Sequence, residues 1–167
     1  MQKFNSLQII KRVTVLIGVA VILLSSLISC DTRSSQQEFF HIGEPGWRST
    51  DTFHFQTDTL LNPGYYLLSV AFRTSSTCRY PYRQLVLEVS RHFGGDGAVM
   101  VDTLNCNLTQ EDGEVEGRGI SVYAYDFPVD TLHITKGNSC QISIRHLMRK
   151  TPLAGIYDIG VLLEKQE

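Results

Sequence analysis

Residues of the kind that bind calcium lie close together in one acidic run, Asp112 to Gly117. Its carboxylates alternate along the chain before a glycine, as in the first half of a calcium-binding loop. Two of the three carboxylates are glutamates, whose side chains are too long for those places. Tyr123 stands at the twelfth position, where such a loop needs a bidentate glutamate. The run therefore predicts a solvated acidic turn rather than a calcium site.

Histidine, serine and cysteine form no pattern typical of catalysis or zinc binding. The five histidines never lie two or four residues apart, and neither Gly-x-Ser-x-Gly nor Cys-x-x-Cys occurs. Cys140 would meet His146 only if the fold brought the two together, and a pair of catalytic carboxylates would likewise have to form in three dimensions. We predict no metal site, no cofactor, no small-molecule substrate and no enzymatic activity.

Cys30 is the residue for which the sequence indicates a specific modification. It ends the tetrapeptide Leu-Ile-Ser-Cys at 27–30, behind a basic start and an apolar run. This is the pattern of a bacterial lipobox, in which the cysteine thiol is acylated and a small preceding residue allows cleavage. An uncleaved anchor or a plain signal peptide is the alternative, although the apolar stretch 13–28 is short of the roughly 20 residues of a membrane span. We predict a signal peptide over 1–29 and lipidation of Cys30.

The triplet Asp-Thr-Leu occurs three times. It resembles the Asp-Ser/Thr-aliphatic acceptor of periplasmic O-glycosylation in the Bacteroidota. Its threonines are therefore candidate O-glycosylation sites: Thr59, Thr103 and Thr131. Ordinary turn chemistry, in which Asp and Thr cap the ends of strands, is the other interpretation.

Composition limits the class of partner. Loss of residues 1–29 leaves 138 residues, enough for one domain with its own core. The leader contains three of the 15 basic residues and none of the 17 acidic ones, so the mature chain has a net charge of -5. Nucleic acid needs a basic face, and we predict no nucleic-acid partner. Three cysteines besides Cys30 allow one disulfide at most, and we interpret them mostly as small buried side chains: Cys78, Cys106 and Cys140.

Short alternating stretches dominate the chain after residue 51. In the clearest of them, 84–93, one face would carry Leu85, Leu87, Val89 and Arg91. Turn-forming Gly, Pro, Asn and Asp separate these stretches. The pattern predicts an all-β fold, an antiparallel β-sandwich of about eight strands of the jelly-roll or immunoglobulin-like kind. We expect a polar tether over 30–40 and the sandwich over 41–167.

Tyrosines come largely in pairs, such as Tyr80 and Tyr82 or Tyr123 and Tyr125. Strands are rich in tyrosine in any case, so an ordinary core and rim is one interpretation. The other is a binding patch for a protein or a glycan, because tyrosine combines apolar area with a polar tip.

Several stretches, taken in order, resemble one family. They are "DTLLNPGYYLLSVAFR" at 58–73, "YPYRQL" at 80–85, and "GIYDIG" at 155–160 before a closing Leu-Glu-Lys. Behind a lipobox, this succession is similar to the GldH family of gliding-motility-associated lipoproteins, over about residues 40–165. The resemblance implies an envelope lipoprotein of the Bacteroidota that serves gliding or the associated secretion machinery. It carries over no catalytic residues.

Together these observations predict a lipid-anchored protein of the cell envelope, in the outer membrane and facing the periplasm. We expect it to contact the membrane through its N-terminal lipid, to bind other envelope proteins, and to act as a non-catalytic accessory of the gliding or secretion machinery. The alternative is an envelope glycan-binding module or a carbohydrate-active enzyme. A concave aromatic cleft with clustered carboxylates would favour the alternative, and a flat, well-packed sandwich would favour the accessory.

Overall fold

Eight strands account for all the regular secondary structure in the part of the chain that the computed structural model describes, residues 35–57, 61–75, 80–93, 98–137 and 139–166. The strands are β1 Ser35–His41, β2 Phe53–Gln56, β3 Gly64–Ser75, β4 Gln84–Phe93, β5 Val99–Asn107, β6 Val122–Ile134, β7 Cys140–His146 and β8 Ile156–Lys165. The predicted all-β fold is thereby confirmed. The predicted leader, Cys30, Thr59 and Cys78 lie outside the described residues.

The strands form two antiparallel four-stranded sheets. One has the order β1-β8-β3-β6 and the other the order β2-β7-β4-β5. The pairs β1·β8, β2·β7, β3·β6 and β4·β5 are nested, as if one long hairpin had been wound on itself. This nesting is the jelly-roll arrangement, so the structure selects the jelly roll from the two kinds of sandwich that the sequence left open.

The core lies between the sheets because the strands alternate apolar and polar side chains. Strand β4 shows this most clearly, since Leu85, Leu87, Val89 and Arg91 are buried while the residues between them are partly exposed. Trp47 is fully buried, and its indole Nε1 donates a hydrogen bond to the carbonyl oxygen of Asp51 at 3.0 Å. Within the described ranges no helix has the length and hydropathy of a membrane span.

The sandwich begins earlier than the predicted boundary at residue 41. Ser35–His41, which the sequence placed in the tether, forms β1 and pairs with β8 along its whole length. Polar residues such as Gln36 and Gln37 suggest a tether, but an edge strand accommodates them because one side of it faces solvent. Gly160 allows the close approach of the two strands, since a Cβ atom there would lie 2.4 Å from the carbonyl oxygen of Glu38.

The two sheets are aligned, so the sandwich has two distinct ends. The side-chain amide of Gln36, at the start of β1, donates to the carbonyl oxygen of Gln56 at the end of β2, at 3.1 Å. The Ser35 end therefore contains the starts of the odd-numbered strands and the ends of the even-numbered ones. The opposite end is called the Tyr82 end, because the segment before β4 lies there.

Candidate binding cleft

The segment Tyr80-Pro81-Tyr82 leads into β4 and forms one wall of a cleft at the Tyr82 end. Tyr80 is buried, and its hydroxyl donates to the carbonyl oxygen of Gln84 at 2.9 Å. Burial raises the pKa of Tyr80 well above its usual value, so the hydroxyl stays a donor. Tyr82 packs on the edge of the Tyr80 ring at 5.6 Å between centroids and stays partly exposed. Pro81 fixes φ between them, which holds one ring in the core and the other in the cleft.

The acidic run forms the facing wall as a tight turn. Thr109 and Val115 pair across it, and Gly113 takes a left-handed φ of 93° at its tip. The Asp112 carboxylate accepts a hydrogen bond from the backbone nitrogen of Glu114 at 3.0 Å, so it stabilises the turn itself. Among the described residues, no group of three His, Cys, Asp or Glu side chains could hold a metal ion.

Amides, carboxylates and an aromatic ring line the cleft, which has a volume of about 1090 Å³. Among the lining residues, the Gln84 side-chain amide donates to the Asn107 side-chain oxygen at 2.7 Å, which orients both groups. Its other lining side chains include Tyr82, Arg83, Met148 and the carboxylates of Glu111, Asp112 and Glu116. Neutral amides, carboxylates and a partly exposed ring suit a polar ligand rich in hydroxyl or amide groups.

A smaller cavity of about 300 Å³ adjoins the cleft and shares Tyr82 and Thr109 with it. Four of the seven tyrosines reach it, from both sheets: Tyr80, Tyr82, Tyr123 and Tyr125. Gly117 allows this packing, since a Cβ atom there would lie 2.6 Å from the Tyr125 ring. The sequence showed these tyrosines as two separate pairs, and only the jelly-roll topology joins them. The cleft itself contains one of these rings, Tyr82, beside the carboxylates of the acidic turn, while Tyr80 and Tyr125 are buried. It therefore meets in part the condition that favours the glycan-binding alternative.

The candidate O-glycosylation sites within the described residues lie on neighbouring edges of the two sheets. Thr103 on β5 and Thr131 on β6 are both exposed. The aspartate before each threonine pairs with the guanidinium of Arg91, whose side chain is 5% exposed. Asp102 and Asp130 thus hold a buried cation, a role that the triplet pattern did not indicate. Modification of the threonines stays a prediction.

The structure separates the residues that had to meet for cysteine chemistry. Cys140 and His146 lie at opposite ends of β7, about 20 Å apart at the rise of an extended strand. The His146 ring lies 3.2 Å, through Nε2, from the Trp47 carbonyl oxygen. Cys106 and Cys140 are free and buried, and burial raises their pKa values to about 12 and about 11. Both thiols are therefore protonated and unreactive at neutral pH.

Comparison with known proteins identifies the family. The model of the GldH lipoprotein family matches residues 35–163, which is most of the chain, and the chain belongs to that family. It is not a known enzyme family, and membership implies a membrane-associated place in the cell envelope. No curated protein matches the chain.

Two solved structures resemble the chain distantly. A family GH115 4-O-methyl-α-glucuronidase, BtGH115A, with specificity for decorated arabinogalactans, is 15% identical with a TM-score of 0.32, over 75% of this chain and 14% of that enzyme. The CBM36-1 domain of a multidomain xylanase from the hindgut metagenome of Trinervitermes trinervoides is 10% identical with a TM-score of 0.36, over 83% of this chain and 94% of that domain. The chain thus spans a small part of the glucuronidase and most of the xylanase module.

Proposed function

We propose that this GldH-family lipoprotein is anchored by lipid on Cys30 in the outer membrane and faces the periplasm, where it is a non-catalytic accessory of the gliding or associated secretion machinery. The observation that carries the proposal is the family match over almost the whole sandwich, behind a lipobox. The cleft at the Tyr82 end is the surface that would receive an envelope partner, because it is larger than the cavity that adjoins it and opens beside exposed turns.

Crosslinking in cells tests the accessory role. A photo-crosslinking amino acid replaces Tyr82 in the cleft or, as the matched control, Tyr65, which is exposed at the Ser35 end. We expect irradiation to join the Tyr82 variant to a component of the gliding or secretion machinery and the Tyr65 variant to none. Crosslinks to the same component from both positions, or from neither, would contradict the cleft as its binding surface.

Binding of a glycan is the second candidate function, and the exposed ring of Tyr82 beside side-chain amides and carboxylates favours it. Sugar rings pack their apolar faces on aromatic side chains and exchange hydrogen bonds with amides and carboxylates. Among envelope glycans, peptidoglycan presents both hydroxyl and amide groups, which suits a cleft of this composition.

Soluble peptidoglycan fragments are the probe for this second function. Calorimetric titration of the wild-type protein should give a saturable heat of binding. Tyr82→Ala should lower the affinity at least about tenfold, because it removes one anchoring aromatic contact. Tyr157→Ala, which removes an exposed tyrosine away from the cleft, should leave the affinity unchanged. Equal affinities of the two variants would show that the glycan does not bind in the cleft.

A further inference from the structure

Three consecutive apolar residues lie exposed at the Ser35 end. Val99, Met100 and Val101 open β5, and their exposed fractions are 59%, 50% and 57%. Among the described residues, no other three consecutive positions carry large exposed apolar side chains, and scattered ones are normal for a protein surface. A run of three on an edge strand is a different feature. Because side chains alternate along a strand, Val99 and Val101 project from one face and Met100 from the other, so the start of β5 is apolar on both faces. This run is called the β5 tip.

The register of the sheets fixes where the β5 tip lies relative to the start of the domain. Val99 on β5 pairs with His92 on β4. His92 pairs in turn with Gln141 on β7, which pairs with Gln56 on β2. The hydrogen bond from Gln36 then joins Gln56 to the start of β1. The β5 tip and Ser35 are therefore on the same end of the sandwich, separated across its width and thickness by roughly 17 Å from the spacings of strands and sheets.

Few residues separate Cys30 from Ser35, so a lipid on Cys30 would keep this end within a short distance of the membrane. A lipidated Cys30 lies at the level of the lipid headgroups, and the five steps to Ser35 span at most about 17 Å. Strand β8 has ten residues, so the Tyr82 end lies about 33 Å farther along the strands. The lipid thus brings the Ser35 end, with the β5 tip, within reach of the bilayer surface.

Side chains around the β5 tip suit the interface of a bilayer. Tyr65 is 58% exposed at the same end and stacks on His133 at 4.8 Å, which presents a rigid ring with a polar tip. Tyrosine is enriched where lipid headgroups meet acyl chains. Exposed Lys136 and Lys165 at this end supply ammonium groups for lipid phosphates.

From these observations we propose that the β5 tip, together with Tyr65 at the same end of the sandwich, forms a membrane-contact surface that docks the sandwich on a phospholipid bilayer with the Tyr82 end pointing away. The proposal rests on the lipid anchor proposed above. Apolar side chains seated in the headgroup layer add a second attachment to that of the lipid, and two attachments fix an orientation that one flexible tether does not. The cleft is then held away from the membrane, toward partners in the periplasm.

Fluorescence of a label at each end tests the orientation. The full-length, acylated protein carries Cys78→Ser with either Val101→Cys or Ile120→Cys, and the environment-sensitive dye NBD is attached to the new thiol. Ile120 is 89% exposed at the Tyr82 end and serves as the matched control. Cys106 and Cys140 stay unlabelled because they are buried. The protein is reconstituted into phosphatidylethanolamine and phosphatidylglycerol vesicles that contain a nitroxide lipid.

We expect a blue-shifted emission and loss of most fluorescence at position 101, and neither change at position 120. A label introduced as Tyr65→Cys should behave like the one at position 101. If the protein floats with the vesicles but position 101 is not quenched, or position 120 is quenched as strongly, the membrane-contact surface is wrong while the lipid anchor stands. If the acylated protein does not float with the vesicles, the anchor is wrong and the inference falls with it.

Discussion

The two sheets are held together by different interactions at the two edges of the sandwich. At the β1/β2 edge, the Phe40 ring lies 5.7 Å from that of Phe53 and 5.1 Å from that of Phe55. At the β5/β6 edge, the Arg91 guanidinium reaches across from β4 to the carboxylates of Asp102 and Asp130. Apolar burial holds one edge together and does not depend on the orientation of the groups. Charged hydrogen bonds hold the other edge and require a defined geometry.

This difference indicates which edge contributes more to stability and which fixes the position of an edge strand. Apolar burial lowers the free energy of the folded chain directly. A buried cation first loses its hydration, and Arg91 is compensated only in part, because its Nε has no hydrogen-bond partner among the residues that the structure describes. Arg91 is level with Met100 in the β5 tip. The ionic edge therefore holds the start of β5 in place, where the proposed membrane contact lies, and adds less to stability than the aromatic edge.

Truncation at the aromatic edge should have the largest effect. Phe55→Ala removes a buried ring, and we expect it to lower the free energy of unfolding by about 3–5 kcal/mol. Urea denaturation at low and high salt measures the change, which should be the same at both. His54→Ala, an exposed neighbour on the same strand, is the control and should cost far less. A loss for Phe55→Ala no larger than that of His54→Ala would contradict the role given to the aromatic edge.

Removal of both carboxylates from the ionic edge should have a smaller effect. Asp102→Asn with Asp130→Asn leaves the Arg91 charge without a counter-ion, and we expect a loss of about 2 kcal/mol. The loss is less than for a fully buried pair because both carboxylates are 48% exposed. Adding Arg91→Met removes the orphaned charge and should restore most of the stability in the same urea experiment. If the triple variant is no more stable than the double, the ionic edge does not work through charge.

Acid should weaken the ionic edge and leave the aromatic edge unchanged, and this is the smallest effect. The hydrogen bond and charge of Arg91 hold the pKa of Asp130 below its usual value. A carboxyl group with a lowered pKa in the folded state stabilises the fold fully above its unfolded pKa, about 4, and this contribution is lost as pH falls through the folded value. Wild-type unfolding, followed from pH 5 downward, should therefore lose more stability than that of Arg91→Met. Equal losses would contradict the assignment.

Strands could be predicted from the sequence because alternation is local. The face that joins Leu85, Leu87, Val89 and Arg91 followed from period two alone, and the structure confirms it. The acidic partners of Arg91 could not be predicted, since they depend on which strands become neighbouring edges. The same holds for the tyrosines of the cleft and for the choice of the jelly roll. The tether boundary failed because a polar edge strand and a polar linker have the same composition.

The most direct test of the lipid anchor is the mass of the mature N-terminal peptide, isolated from fractionated membranes. We expect a peptide that begins at Cys30 and carries acyl chains, together with loss of membrane attachment in Cys30→Ala. An intact leader, or a peptide cleaved without acylation, would contradict the lipid anchor and with it the orientation proposed for the sandwich.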